Sequence, residues 1–433
     1  MDAKPAPSSV RFAVLGAFCL AVVMAGVIWQ AWDMFGTRQR SMLQGWDDAF
    51  YYLWLPSVVI DHDLDFANQI RQCDAFTAST RQEALDQPRT ATGLVPDKYP
   101  PGWALGSLPF FLAAHAVSPA GATGFEPVYV IAVWTGQLLY AAIGLCLAVG
   151  IVSRFFPPDL ARLAVLAGWL ASPLVYYQTA RLAMSHSQVF ALAMAIFWLS
   201  LRIAQGAAQP RHWVLLGFSS ALLVVTRNAA AVYLVLPAVV AVPYLCSVRI
   251  GTWLALGAVV PVAVQLIAWK LLFGSWFAYS YGGEHLNFSA LHLGEVLFSP
   301  RHGWFYWHPL LLAGIAGFLG WAWRRVAGWA WIVSLGATVM LNAAWPTWWL
   351  GSSFGHRGFE VPTLFAMLGL AALGQLAHTR PLAWRILQCA TMIAIAWNLV
   401  LLALFLTGHI SREGPVTYGD VIQALGHWNL LEH

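Results

Sequence analysis

The chain has 433 residues, of which 59% are hydrophobic and only 10% charged, and its mean hydropathy is +0.64. A soluble domain is about half apolar and about a quarter charged, so the composition excludes a water-soluble enzyme and points to an integral membrane protein. The formal charge of +4 is too small to imply a nucleic-acid partner.

In chain order, Lys4 and Arg11 flank the first long apolar segment, residues 11–32. At about 1.5 Å per residue that segment crosses a hydrocarbon core of about 30 Å. No small-residue cleavage site follows it, so it reads as a retained signal anchor with a cytoplasmic N-terminus. Residues 33–100 then form the longest polar stretch and read as an outer loop. Within it, residues 49–60 are apolar enough for a helix along the membrane surface. Asp61-His62-Asp63-Leu64-Asp65-Phe66-Ala67-Asn68 reads as a turn into an acidic loop, and residues 71–97 as a mobile polar stretch. Residues 103–117 follow Pro100-Pro101 and contain Pro109; so short a piece suits a re-entrant segment better than a span.

The remaining spans are expected at 127–150, 162–179, 186–203, 212–226, 229–247, 252–273, 307–323, 327–345, 360–377 and 382–406. With the first, these make about 11. Under this arrangement Arg154, Arg162, Arg202, Arg211, Arg249, Arg324, Arg325, Arg380 and Arg385 join Lys4 and Arg11 on the inner side. Fewer basic residues fall in the later outer connections: Arg181, Arg227, Lys270, Arg301, Arg357 and Arg412. The excess of positive charge inside supports this topology. The whole chain, 1–433, reads as a single transmembrane domain, and residues 407–433 as an outer tail.

Most histidines sort to the outer ends of the spans, as do four stretches able to carry chemistry. The first is Gly45-Trp46-Asp47-Asp48-Ala49-Phe50-Tyr51-Tyr52. Two carboxylates beside aromatic residues can take a proton from an attacking hydroxyl or hold a divalent cation; they can equally cap the helix that follows. The second is Asp97-Lys98-Tyr99-Pro100-Pro101-Gly102, where an ammonium beside a rigid turn suits a lipid phosphate. The third runs from Leu297 through Arg301, His302 and Trp304 to Pro309, and the fourth from Trp345 through Trp348, Trp349, His356 and Arg357 to Glu360. Arginine forks onto phosphate oxygens, and indole faces stack on a sugar or an isoprenoid. An interfacial aromatic anchor is the plain alternative for the last two. Cys73 is the one cysteine of five in a polar stretch, so no disulfide framework is expected. No phosphate-binding loop, dinucleotide fingerprint, zinc-protease motif or nucleophile elbow occurs.

An N-terminal span, an outer acidic pair followed by a tyrosine (Asp47-Asp48 and Tyr51) and a Lys-x-Pro-Pro turn (Lys98-Tyr99-Pro100-Pro101) together resemble the GT-C glycosyltransferases. The likeness extends to Phe298-Ser299-Pro300-Arg301-His302-Gly303 and Trp348-Trp349-Leu350-Gly351-Ser352-Ser353-Phe354-Gly355. That group includes the protein mannosyltransferases and the lipid A aminoarabinose transferases. The resemblance implies an all-α polytopic bundle in a bacterial inner membrane, with helices in the first periplasmic loop. It also implies inverting transfer of a sugar from a polyprenyl-phosphate donor to a lipid-linked or surface glycan at the periplasmic face. Asp47 is the expected base. Asp48 stands where relatives often have Glu, so the division of roles is open, and Asp48 is the one residue to which a divalent metal would be assigned. No other cofactor is expected. Lys98, Arg301, His302, His356 and Arg357 are the expected donor-phosphate ligands, and Tyr51, Tyr99, Trp304, Trp348 and Trp349 the substrate pocket. The rival reading is a secondary transporter or lipid flippase, which calls for polar groups near the bilayer midplane; the expected spans lack acidic residues there.

Overall fold

The structure is a computed structural model, and it describes residues 42–206, 208–244 and 246–427. The expected first span, residues 11–32, lies outside the described residues, as do Lys4 and Arg11. Every regular element among the described residues is helical. The helices used below are α1 Trp46–Pro56, α2 Ala67–Gln72, α3 Ala78–Leu85, α4 Gly102–His115, α5 Pro127–Val152, α6 Pro158–Leu170 and α7 Leu174–Thr179. They continue with α8 His186–Ala204, α9 Pro210–Thr226, α10 Val235–Ala241, α11 Val248–Phe273, α12 Leu293–Phe298 and α13 Trp304–Trp307. The last are α14 Pro309–Ala322, α15 Val326–Ala343, α16 Pro362–Ala377, α17 Pro381–Leu406 and α18 Tyr418–Gly426.

Four of these, α5, α8, α11 and α17, are long and apolar enough to cross a membrane. Other expected spans are broken where the sequence removes a backbone donor. Residues 162–179 divide at Ser172-Pro173 into α6 and α7, and residues 307–323 at His308-Pro309 into α13 and α14, because proline cannot continue the helical ladder and disfavours helix in the residue before it. Residues 229–247 contain Pro237 and Pro243 and split into α10 between two 3-10 turns, Asn228–Leu234 and Val242–Tyr244. Segment 103–117 is α4, 14 residues with Pro109 inside it. The stretch 71–97 is folded. Thr77 caps α3 by accepting the Thr80 N–H, and the Arg81 guanidinium donates to the carbonyls of Ile70, Cys73 and Phe76. The expected tail contains α18, whose first turn carries a reciprocal Thr417–Asp420 capping box.

The described chain forms two compact units, residues 42–147 with 181–287 and residues 148–180 with 288–427. In the first, α9 and α11 pack backbone to backbone. A Cβ on Gly217 would stand 2.2 Å from the Leu254 carbonyl oxygen, and one on Gly257 2.0 Å from that of Val214. Gln188 of α8 donates to the Gly102 carbonyl and the Thr226 hydroxyl, each at 2.9 Å, and so ties α8 to α4 and α9. In the second unit α14 and α16 meet the same way at Gly314 and Gly369. Such small-residue contacts replace the hydrophobic drive that is missing between helices in lipid. The break at Pro173 leaves carbonyls without helical partners; Asn398 of α17 donates to two of them, Leu170 at 2.7 Å and Ser172 at 3.1 Å. That commitment turns its Oδ1 to accept from His308 Nδ1 at 2.8 Å.

Candidate active site

The first unit contains the acidic pair, and its geometry begins at Gly45. This residue precedes α1 with φ 98° and ψ −173°, a region open essentially to glycine alone. A Cβ there would also approach the Arg181 guanidinium to 3.2 Å. Two carboxylates occupy the first turn of α1, where the exposed backbone N–H groups and the helix dipole favour negative charge. Successive helix positions diverge by about 100°, and the pair is accordingly split. Asp48 points inward and is 2% exposed. Its Oδ2 accepts from Arg181 Nε at 2.9 Å and from the Gln44 N–H at 3.1 Å, while an Arg181 Nη donates to the Gln44 carbonyl. Burial raises the Asp48 pKa, and the Arg181 charge and hydrogen bond pull it back. Asp47 is half-buried and its Oδ1 accepts the Tyr99 hydroxyl.

Aromatic rings wall this carboxylate. Tyr99 lies 4.6 Å from Tyr51 and 6.4 Å from Tyr281, centroid to centroid. The turn carrying Tyr99 is braced by Asp97, a buried carboxyl whose Oδ1 accepts the Tyr99 N–H at 2.8 Å; burial holds its pKa well above the carboxylate range. Next to it, Lys98 Nζ lies 5.6 Å from the centroid of Tyr99 and 5.7 Å from that of Tyr281 and pairs with Glu284 at 2.7 Å. Burial raises the Tyr281 phenol, with Tyr51 adding to the shift and Arg227 opposing it. The structure therefore brings together Asp47, Tyr51, Lys98 and Tyr99 of the expected site. It adds Arg181, Arg227, Tyr281 and Glu284, which the sequence offers only as isolated polar residues in turns. Farther along α1 and α4 a mostly apolar cavity of about 760 Å³ is lined by Leu55, Val58, Pro101, Leu105, Ile267 and Leu271 among others, and His62, Asp63 and Asp65 also line it.

The second unit contains the other expected residues in a separate constellation. Arg301 stacks on Trp349, with the guanidinium carbon 3.8 Å from the ring centroid, and its Nε donates to the Glu413 carbonyl at 2.7 Å. His302 is fully buried, has φ 63° and donates from Nδ1 to the Trp349 carbonyl at 2.8 Å. Burial, with Arg301 and Arg357 nearby, pushes its pKa down to about 4, so His302 is neutral at neutral pH and carries no charge to a phosphate. Trp304 is also buried and stacks on Phe359 at 4.2 Å; it is core rather than pocket wall. His356 is buried and accepts the Gly358 N–H at 3.3 Å. Arg357 begins the 3-10 turn Arg357–Phe359 and is half-buried. Trp348 meets Trp349 edge to face at 5.7 Å.

Among the described residues no three His, Cys, Asp or Glu side chains gather as a metal site. Arg181 holds Oδ2 of Asp48, while its Oδ1 is buried without a hydrogen-bond partner among the described residues.

The described residues define an all-α architecture with helices long and apolar enough to cross a membrane. Among solved structures the chain is similar to ArnT from Cupriavidus metallidurans. Against the apo state the TM-score is 0.50 at 15% identity, covering 97% of this chain and 75% of that one. Against ArnT bound to undecaprenyl phosphate it is 0.52 at 13% identity, covering 92% and 71%. No protein-family model and no curated protein matches the sequence.

Proposed function

We propose that this protein is an inverting glycosyltransferase that moves a sugar from a polyprenyl-phosphate donor to a cell-envelope glycan or lipid. The observation carrying the reading is the Asp47 carboxylate, which accepts the hydroxyl of Tyr99, a ring that packs on Tyr51 and has the Lys98 ammonium 5.6 Å from its centroid. An acceptor hydroxyl bound there would give its proton to Asp47 as its oxygen attacks the anomeric carbon. The bond from that carbon to the phosphate oxygen breaks, its electron pair leaves with polyprenyl phosphate, and Lys98 meets the charge growing there. A fixed cation at that point favours the transition state over the bound donor. Arg301 and Arg357 are further candidate phosphate ligands on the chemistry of the guanidinium fork.

Two further observations support the donor class. The mostly apolar cavity has Pro101 in its wall, three residues from Lys98, and its lining suits an isoprenoid chain. One of the ArnT structures that share the fold is bound to undecaprenyl phosphate. The test is incubation of purified protein with a panel of radiolabelled polyprenyl-phosphate sugars and a cell-envelope extract. Release of free polyprenyl phosphate from one donor is the expected result; release from none of them rejects the reading.

A further inference from the structure

Asp47 and Asp48 are neighbours of the same chemistry, yet only one of them can face a substrate. Asp48 is sealed from solvent, and Arg181, 133 residues away in the chain, provides its partner. The same guanidinium also donates to the Gln44 carbonyl. Gln44 in turn donates its N–H to Asp48. Arg181 thus grips both the third residue of α1 and the residue before its cap, across a glycine that leaves room for it. The three contacts fix the rotation of the first helical turn about its axis. Since Asp47 lies on that turn between the gripped points, its direction is set by the clamp on one side and by the Tyr99 hydroxyl on the other.

We infer that Arg181 is a positioning residue for the transfer reaction: with Asp48 it forms an internal clamp that aims the Asp47 carboxylate, and Asp48 itself serves neither as base nor as metal ligand. This rests on the proposed role of Asp47 and adds to it a division of labour within the acidic pair. A clamp of this kind acts through geometry. Displacement of a catalytic group by about 1 Å can cost two orders of magnitude in rate while substrate binding elsewhere is kept. The charge balance matters as well, because a buried carboxylate stripped of its partner is strongly disfavoured whereas removal of both partners is tolerated.

The test uses full-length protein in lipid nanodiscs and the variants Arg181→Gln, Arg181→Lys, Asp48→Asn and Arg181→Gln/Asp48→Asn. Three quantities are read: kcat and donor KM for polyprenyl phosphate release, affinity for undecaprenyl phosphate, and hydrogen exchange of the amides in the first two turns of α1. Arg181→Gln should lower kcat roughly 10-fold or more while donor KM and undecaprenyl phosphate affinity stay within about two-fold, and the α1 amides should exchange faster. Arg181→Lys keeps the charge but loses the planar fork that reaches Asp48 and the Gln44 carbonyl from two nitrogens, so it should recover only part of the loss. The double variant should be no worse than Arg181→Gln, since the pair acts as one unit. Wild-type kcat in Arg181→Gln, or a loss confined to donor KM, overturns the clamp; the second result would make Arg181 a donor ligand. If the wild type itself releases no polyprenyl phosphate, the transfer reading fails. The clamp is then judged on exchange alone, and unchanged α1 protection in Arg181→Gln would reject it.

Discussion

At the scale of single residues, the acidic pair shows how two identical side chains acquire different work. An amide in place of Asp47 keeps the size and the contact with Tyr99 but cannot accept a proton. Asp47→Asn should therefore cost roughly 100-fold or more in transfer rate, while loss of its favourable placement at the helix start removes only about 0.3–1 kcal/mol of stability. Turnover within a few-fold of wild type would show that another group is the base. His302 gives a prediction of a different kind. Its pKa falls from the ordinary value to about 4 on folding, mainly through burial. The unfolded chain therefore binds its proton more readily, and stability is present above about pH 6.5 and lost as the pH falls toward 4. Over that whole interval the loss is about 3 kcal/mol. Thermal unfolding between pH 7.5 and 5 should show the decline in the wild type and a flatter response in His302→Gln. Equal slopes would place the acid sensitivity elsewhere.

At the scale of elements, the long uninterrupted helices were legible because α5, α8, α11 and α17 are continuous apolar runs of sufficient length. The aromatic-acidic head of α1 and the Lys98 turn were legible for a related reason: charge is rare enough in this chain to stand out. The fine structure was hidden wherever the partner is distant. Nothing near Arg181 in sequence tells of Asp48, and nothing near Pro173 tells that Asn398 would satisfy the carbonyls left by the break. The segment after α11 is another such case. Its Ser280 hydroxyl donates to the Lys98 carbonyl at 2.7 Å, and its Glu284 carboxylate pairs with the Lys98 ammonium. That pair is solvent-accessible, 29% and 45% exposed, so it is worth no more than about 1 kcal/mol. A phosphate arriving at Lys98 would compete with Glu284. Glu284→Gln should then tighten undecaprenyl phosphate binding by up to about five-fold, and Lys98→Gln should weaken it. Weaker binding in Glu284→Gln would mean that the carboxylate holds Lys98 ready rather than masking it.

At the scale of the whole molecule, the orientation in the membrane is read from the distribution of arginine and lysine. Reporter fusions after Arg154 and Arg325 should lie in the cytoplasm, and one after His427 in the periplasm. A cytoplasmic signal from the last would require an even number of crossings, and α4 crossing the membrane as a twelfth span would supply it. The Asn398 contacts carry a consequence for the order of synthesis. The carbonyls they serve lie 226 and 228 residues earlier in the chain. A ribosome adding about 5–20 residues per second takes roughly 10–50 s to cover that distance. Throughout that delay the joint between α6 and α7 has been made but its partner has not. The second unit can thus close only after α17 emerges, whereas the glycine contacts between α9 and α11, Gly217 with Leu254 and Gly257 with Val214, join residues only 37 and 43 apart in the chain. Protease challenge of ribosome-arrested chains should find α9 with α11 protected well before the joint at Pro173, and simultaneous protection of the two would contradict this sequence of events. A nascent chain stalled short of α17 would present that open joint to whatever quality-control proteins survey the membrane.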